Sequence, residues 1–200
     1  MNDFLKGYNI INNLPYGFDF QNQDGWQLRA HSKWFFENKD HRLSELQNVY
    51  HAFCGEYLDF SPESLKGLSN FFSKAIDTEK LSEEEYAAKR AKVPDDIPID
   101  DYDLTIRSRS LIVDVGIYMG EVMIRNHKNM CWEQYKPRSR RNVERGYMVI
   151  RINDNIHRNW INPIWLIDVQ GWKVSRNRFE PDGIYKVYNY HCNEISPEFL

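Results

Sequence analysis

The sequence predicts an α+β domain in which helices pack on one face of a small, mainly antiparallel sheet formed largely by the C-terminal half. Three observations lead there. Apolar side chains recur at helical spacing through residues 40–126, with helix-start signals between them. Residues 131–135 and 147–152 carry the β-branched and aromatic side chains of strands. Between these regions, Leu111–Arg125 is almost wholly apolar, interrupted by Gly116, Gly120, Asp114 and Glu121, which suits an element packed on most sides. The 200 residues favour a single domain over 1–200.

Taken in order, residues 1–27 are rich in Asn, Gly and aromatics (Tyr16, Phe18, Phe20, Trp26) and read as irregular structure or a short strand. Leu43, Leu46, Tyr50, Phe53 and Tyr57 fall at 3-4-3-4 spacing and predict a helix from about Arg42 to Leu58. Ser32–Asn38 belongs either to that helix or to a separate one. Next, Ser61-Pro62-Glu63 supplies an N-cap, a proline at the first helical position and an acid near the positive end of the dipole. Leu65, Leu68, Phe71, Phe72 and Ile76 form that helix's buried face. Ser82 and Glu85 have capping-box spacing and open an exposed helix to about Lys92, which Pro94 stops. Asp95–Asp103 holds five aspartates and Pro98 and reads as a linker or loop, the best candidate boundary in the chain, within an acidic linker or insertion at about 77–103. The central helix covers about Leu104 to Asn126. Strands are expected at Cys131–Tyr135, Tyr147–Ile152 and Ile184–Tyr190, with the basic stretch Lys136–Asn142 as a hairpin loop. Asn162-Pro163 starts a short helix through Val169, although Ile164–Val169 reads equally well as a strand.

With 42% apolar and 14% aromatic residues the chain has ample material for a core, which excludes wholesale disorder. The net charge of −3 conceals an asymmetry: residues 1–103 carry 11 Lys/Arg against 19 Asp/Glu, and residues 104–200 carry 15 against 10. Two solvated surfaces of different sign would account for this, as would an acidic face that meets a basic partner. Cys54, Cys131 and Cys192 are scattered and make no C-x-x-C pair, which suggests neither a zinc site nor a disulfide framework and fits a reducing compartment. The amino terminus lacks the pattern of a secretory signal, and the 111–124 run is too short and too interrupted to cross a bilayer. The expectation is a cytoplasmic protein without a membrane partner.

Asp114 and Glu121 lie seven residues apart, so on a helix they share a face, the raw material of acid–base or metal chemistry. No Glu-x-x-His partner accompanies them and the six histidines show no ligand spacing, so no metal or cofactor is expected and the chain does not read as an enzyme. Pairing of Glu121 with Arg125, one turn on, is the simpler expectation. Gly116, Tyr118, Gly120, Glu121 and Arg125 are therefore assigned to the structural core, the glycines admitting a neighbouring element. Arg138, Arg140, Arg141 and Arg145 form a basic run that could bind phosphates, but the acidic half would repel a nucleic acid. Phosphate-loop, nucleophile-elbow and Cys/His nucleophile patterns do not occur.

Leu58-Asp-Phe-Ser-Pro-Glu-Ser-Leu65, Tyr118-Met-Gly-Glu-Val-Met-Ile-Arg125, Trp132 and Asn162-Pro163 together resemble an uncharacterised family of bacterial α+β domains. The resemblance covers about residues 40–170. It departs at Asn126–Asn129, where a Gly-rich turn would be expected before the Trp, and at the acidic 77–103 segment. Some members are similar to immunity proteins, which block a secreted toxin by binding it. The resemblance thus implies a protein-binding function with a bacterial toxin as partner, and the acidic stretches at 79–85 and 95–103 suit a basic one. The recognition surface expected for such a partner is Glu83, Glu84, Glu85, Asp95, Asp96, Asp100, Asp101, Tyr102 and Asp103. An enzyme using Asp114 and Glu121, or a nucleic-acid module on Arg138–Arg145, are the alternatives.

Overall fold

A computed structural model describes residues 3–15, 20–152 and 160–194. Tyr16 and Phe18 lie outside the described residues. Before the first long helix the chain makes short 3-10 turns at Asp3–Leu5 and Phe20–Asn22.

Helix α1 spans Gly25–Cys54, far longer than the periodicity predicts. Its start is set locally: the Asp24 N–H donates to Gln27 Oε1 at 2.7 Å. The periodicity misses its first half because polar His31 occupies a buried position between Leu28 and Phe35. The helix also ends earlier than predicted. Gly55 takes the left-handed conformation at φ 78° and closes it, leaving Tyr57 outside and exposed.

Helix α2 spans Ser64–Ala75 and buries Leu65, Leu68, Phe71 and Phe72, as the spacing predicts. Ser61 is not its N-cap. Bonds from Leu65 N–H to the Pro62 carbonyl and from Lys66 N–H to that of Glu63 make a tighter turn first, and Ser61 Oγ accepts from Ser64 N–H at 3.2 Å. The chain then makes β1 (Thr78–Lys80), α3 (Glu83–Arg90) and β2 (Tyr102–Leu104), with β1 and β2 antiparallel and Thr78 opposite Leu104. The 77–103 segment is thus an ordered excursion closed by a two-stranded ladder, not a bare connector.

Helix α4 spans Ile106–Asn126 and is capped by Thr105, whose hydroxyl accepts from Ser108 N–H. Every residue from Leu111 to Met123 is buried. One flank meets α1. Another meets a three-stranded antiparallel sheet in the order β3 (Met130–Gln134), β4 (Met148–Ile152), β5 (Trp160–Ile161), with Trp132 opposite Ile150 and Ile150 opposite Ile161. The pleat turns Met130, Trp132 and Gln134 inward while Cys131 and Glu133 face out. This sheet lies in the C-terminal half, and the described residues form an α+β fold of six α-helices and two small antiparallel sheets.

Helix α5, Pro163–Ser175, settles the ambiguity at 164–169 in favour of helix: Asn162 Oδ1 accepts from Trp165 N–H at 3.1 Å and Pro163 starts the first turn. It packs so closely on α4 that a Cβ at Gly116 would stand 2.6 Å from Ile164 Cα. The expected strand at Ile184–Tyr190 is instead part of α6, Gly183–Glu194. Ile184, Tyr188 and Cys192 are buried at four-residue intervals, and that helical period against α2 prevails over the strand propensity of Ile, Val and Tyr.

Candidate functional site

The paired acids of α4 face α1 but do not meet in a hollow. Arg42 of α1 grips Asp114 with both edges of its guanidinium, Nε to Oδ1 at 2.8 Å and Nη2 to Oδ2 at 2.7 Å. The Tyr8 hydroxyl donates to the same carboxylate, and Arg42 Nη1 donates to the Asn9 carbonyl at 2.7 Å. Burial pushes the Asp114 carboxyl up to about 6 against the pull of Arg42, which leaves it ionised at neutral pH. Burial and the Asp114 charge together push the Tyr8 phenol up. Glu121 sits apart in a second pair, with Lys39 Nζ at 2.9 Å and Trp132 Nε1 donating at 3.0 Å. Arg125, the expected partner, is only a distant one at 3.8 Å. Among the described residues no group of three or more His, Cys, Asp or Glu could hold a metal ion.

The segments singled out in the sequence pack on one another. The Tyr118 hydroxyl accepts from Phe60 N–H at 2.8 Å and shares a hydrogen bond with Ser64 Oγ at 2.7 Å. The Arg125 guanidinium lies 3.5 Å from the centre of the Phe60 ring, while Gly120 admits the ring of Trp132 and Gly116 admits Ile164, two residues beyond Asn162. These residues hold helices and sheet together.

The acidic excursion is held very differently. Helix α3 buries no residue, so the hydrophobic effect does little to keep it in place. Polar contacts do that instead. Ser82 and Glu85 form the expected capping box: Ser82 Oγ accepts from Glu85 N–H, and Glu85 Oε2 accepts from Ser82 N–H at 2.9 Å. Lys89 Nζ reaches the Tyr102 carbonyl at 3.2 Å, and Arg90 donates to the carbonyls of Val93, Pro94 and Ile97. At the base, Asp100 pairs with Arg176 at 2.6 Å and Asp103 with Arg109 at 2.5 Å, while the rings of Tyr102 and Trp172 approach to 6.5 Å between centroids. Asp100, Tyr102, Asp103 and Glu85 therefore have structural partners. Glu83, Glu84, Asp95, Asp96 and Asp101 are exposed, and among the described residues they make no ion pair. Tyr86 and Ile97 are exposed beside them. Over 77–103 the balance is ten Asp/Glu against four Lys/Arg.

The basic run is divided. Arg138, Arg140 and Arg141 are exposed on the loop between β3 and β4. Arg145 is buried and donates to the carbonyls of Phe20 at 2.8 Å and Gln23 at 2.9 Å, so it ties the first turns to the sheet and does not belong to that basic surface.

One feature escapes any motif. Between α4 and α5, closed by Tyr147 ahead of β4, lies a cleft of about 180 Å³. Ile112, Val113, Ile164 and Trp165 form its apolar wall, and Arg109 and Asp168 reach it from the two helices. Burial raises the Asp168 carboxyl, Arg109 opposing and Asp103 adding to the rise. The Tyr147 phenol is raised by burial and by the charge of Asp168. Its residues come from two helices and the segment ahead of β4, so no spacing in the sequence foretells it.

No protein-family model, curated protein or solved structure matches this chain. No helix among the described residues is long and apolar enough to cross a membrane.

Proposed function

We propose that this chain is a protein-binding domain that engages a basic partner through the acidic excursion, most concretely an immunity-type protein that neutralises a bacterial toxin in the cytoplasm by occluding it. The observation that carries this reading is α3. It contributes nothing to the core, yet a capping box and two cationic side chains fix it in one position. A surface ordered in advance loses less entropy on association, and unpaired carboxylates beside Tyr86 and Ile97 combine steering charge with apolar contact. The resemblance to immunity-like domains supplies the kind of partner.

Co-expression in a bacterial host with the product of the neighbouring gene tests the reading. The native chain should rescue growth and co-elute with that product. A variant carrying Glu83→Lys, Glu84→Lys, Asp95→Lys and Asp96→Lys should keep its melting temperature and lose both effects. A folded variant that still protects, or a native chain that gives no protection, rejects the proposal.

A further inference from the structure

We propose that the cleft between α4 and α5 binds a small organic cation, a primary amine carried on an apolar body about the size of one aromatic ring. The size follows from the volume: about 180 Å³ is comparable to the roughly 150 Å³ apolar cavity known to admit benzene. The apolar body is called for by Ile112, Val113 and Ile164, which leave little on that wall for a polar ligand to bond. The charge follows from counting the ions that reach the space. Arg109 and Asp168 both line the cleft, and Arg109 is also paired with Asp103 at 2.5 Å outside the lining, so the three charges together leave one negative charge. Among the described residues the Asp168 carboxylate has neither a hydrogen bond nor an ion pair. A half-buried anion in this state is one that a donor cation would relieve. Tyr147 and the exposed Trp165 add aromatic rings to the lining, and a ring face within about 6 Å attracts a cation over a neutral isostere. An anion would meet the same carboxylate, and the one guanidinium on the lining is already paired with Asp103.

A half-buried carboxylate left without an ion pair also works against stability, which makes such a residue in a cleft a candidate for binding. This proposal does not depend on the protein-binding reading, because none of the exposed acids of the excursion lines the cleft.

The test is an NMR titration of the full chain with 2-phenylethylamine, 2-phenylethanol and 3-phenylpropionate as probes. The amine should shift the Trp165 indole and the Asp168 amide with saturation at about 1 mM, the alcohol should bind at least about tenfold more weakly, and the acid should not bind. Asp168→Asn should abolish the preference for the amine while the apoprotein melts at the same temperature or higher. Trp165→Ala changes an exposed ring and should weaken the amine at least about fivefold, which keeps the proposal testable should Asp168→Asn fail to fold. Absence of saturation up to about 20 mM amine, equal affinity for amine and alcohol, an unchanged preference in Asp168→Asn, or unchanged affinity in Trp165→Ala overturns it.

Discussion

Gly116→Ala is the sharpest test of how this fold is assembled. The added methyl carbon would lie 2.6 Å from the α carbon of Ile164, 2.9 Å from its Cγ1 and 3.1 Å from its backbone nitrogen. Carbon atoms pack comfortably at about 3.5–4.0 Å, so the α5 backbone must retreat by about 1 Å. No rotamer change can relieve a contact with backbone, which places the cost toward the upper end of the roughly 1–3 kcal/mol typical of overpacking. Replacing Gly by Ala inside a helix returns about 1 kcal/mol. The net expectation is a loss of about 2 kcal/mol, or about 4–8 °C in Tm for a chain of this size. Urea unfolding followed by circular dichroism should show a lower midpoint with an unchanged slope. Gly25→Ala serves as control: there the nearest neighbour is the Arg29 guanidinium at 3.7 Å, and stability should hold or rise by up to about 1 kcal/mol. A Gly116→Ala protein as stable as the native one would show that α4 and α5 are not in backbone contact.

Two further expectations concern buried charge. Arg42→Met strands Asp114 without its cation and should cost about 3–5 kcal/mol at pH 7 by urea unfolding. The loss should shrink near pH 5, where the carboxyl can take up a proton; an equal loss at both pH values contradicts the pairing seen here. His31 is buried against Phe20 with its Nδ1 unbonded among the described residues, and burial lowers its pKa from 6.5 to about 4. The unfolded chain gains this proton near pH 6.5 and the folded chain only near 4, so the contribution is intact above 6.5 and fades as the pH falls between those values, by up to about 3 kcal/mol. His31→Leu should flatten that portion of the stability profile, and an unaltered slope would assign the effect elsewhere.

The elements legible from the residues are those whose signals are local. The capping box of α3, the amphipathic face of α2 and the unbroken apolar run of α4 each depend on contacts within a few residues. The first half of α1 is obscured because polar His31 stands on its buried face, packed against Phe20 from the turn before the helix, just as the buried charge of Arg42 finds its counter-ion, Asp114, 72 positions away. Helix α6 reads as a strand in the sequence because Ile, Val and Tyr fit a strand as well as a helix, and only packing on α2 through Ile184 chooses between them. Of the acids expected at the recognition surface, the sequence could not separate those that brace the excursion, Asp100 and Asp103, from those that stand free, since Arg176 and Arg109 reach them from other helices.

The residues alone determined the α+β class, the burial of the glycine-bearing helix, and the concentration of negative charge in 77–103. These follow from periodicity, capping and composition, properties that a chain has before it folds. Tertiary structure alone decided which buried charges are neutralised and where a hollow opens with Asp168 in it. Both depend on side chains from distant elements arriving at one point, and no local pattern encodes that meeting.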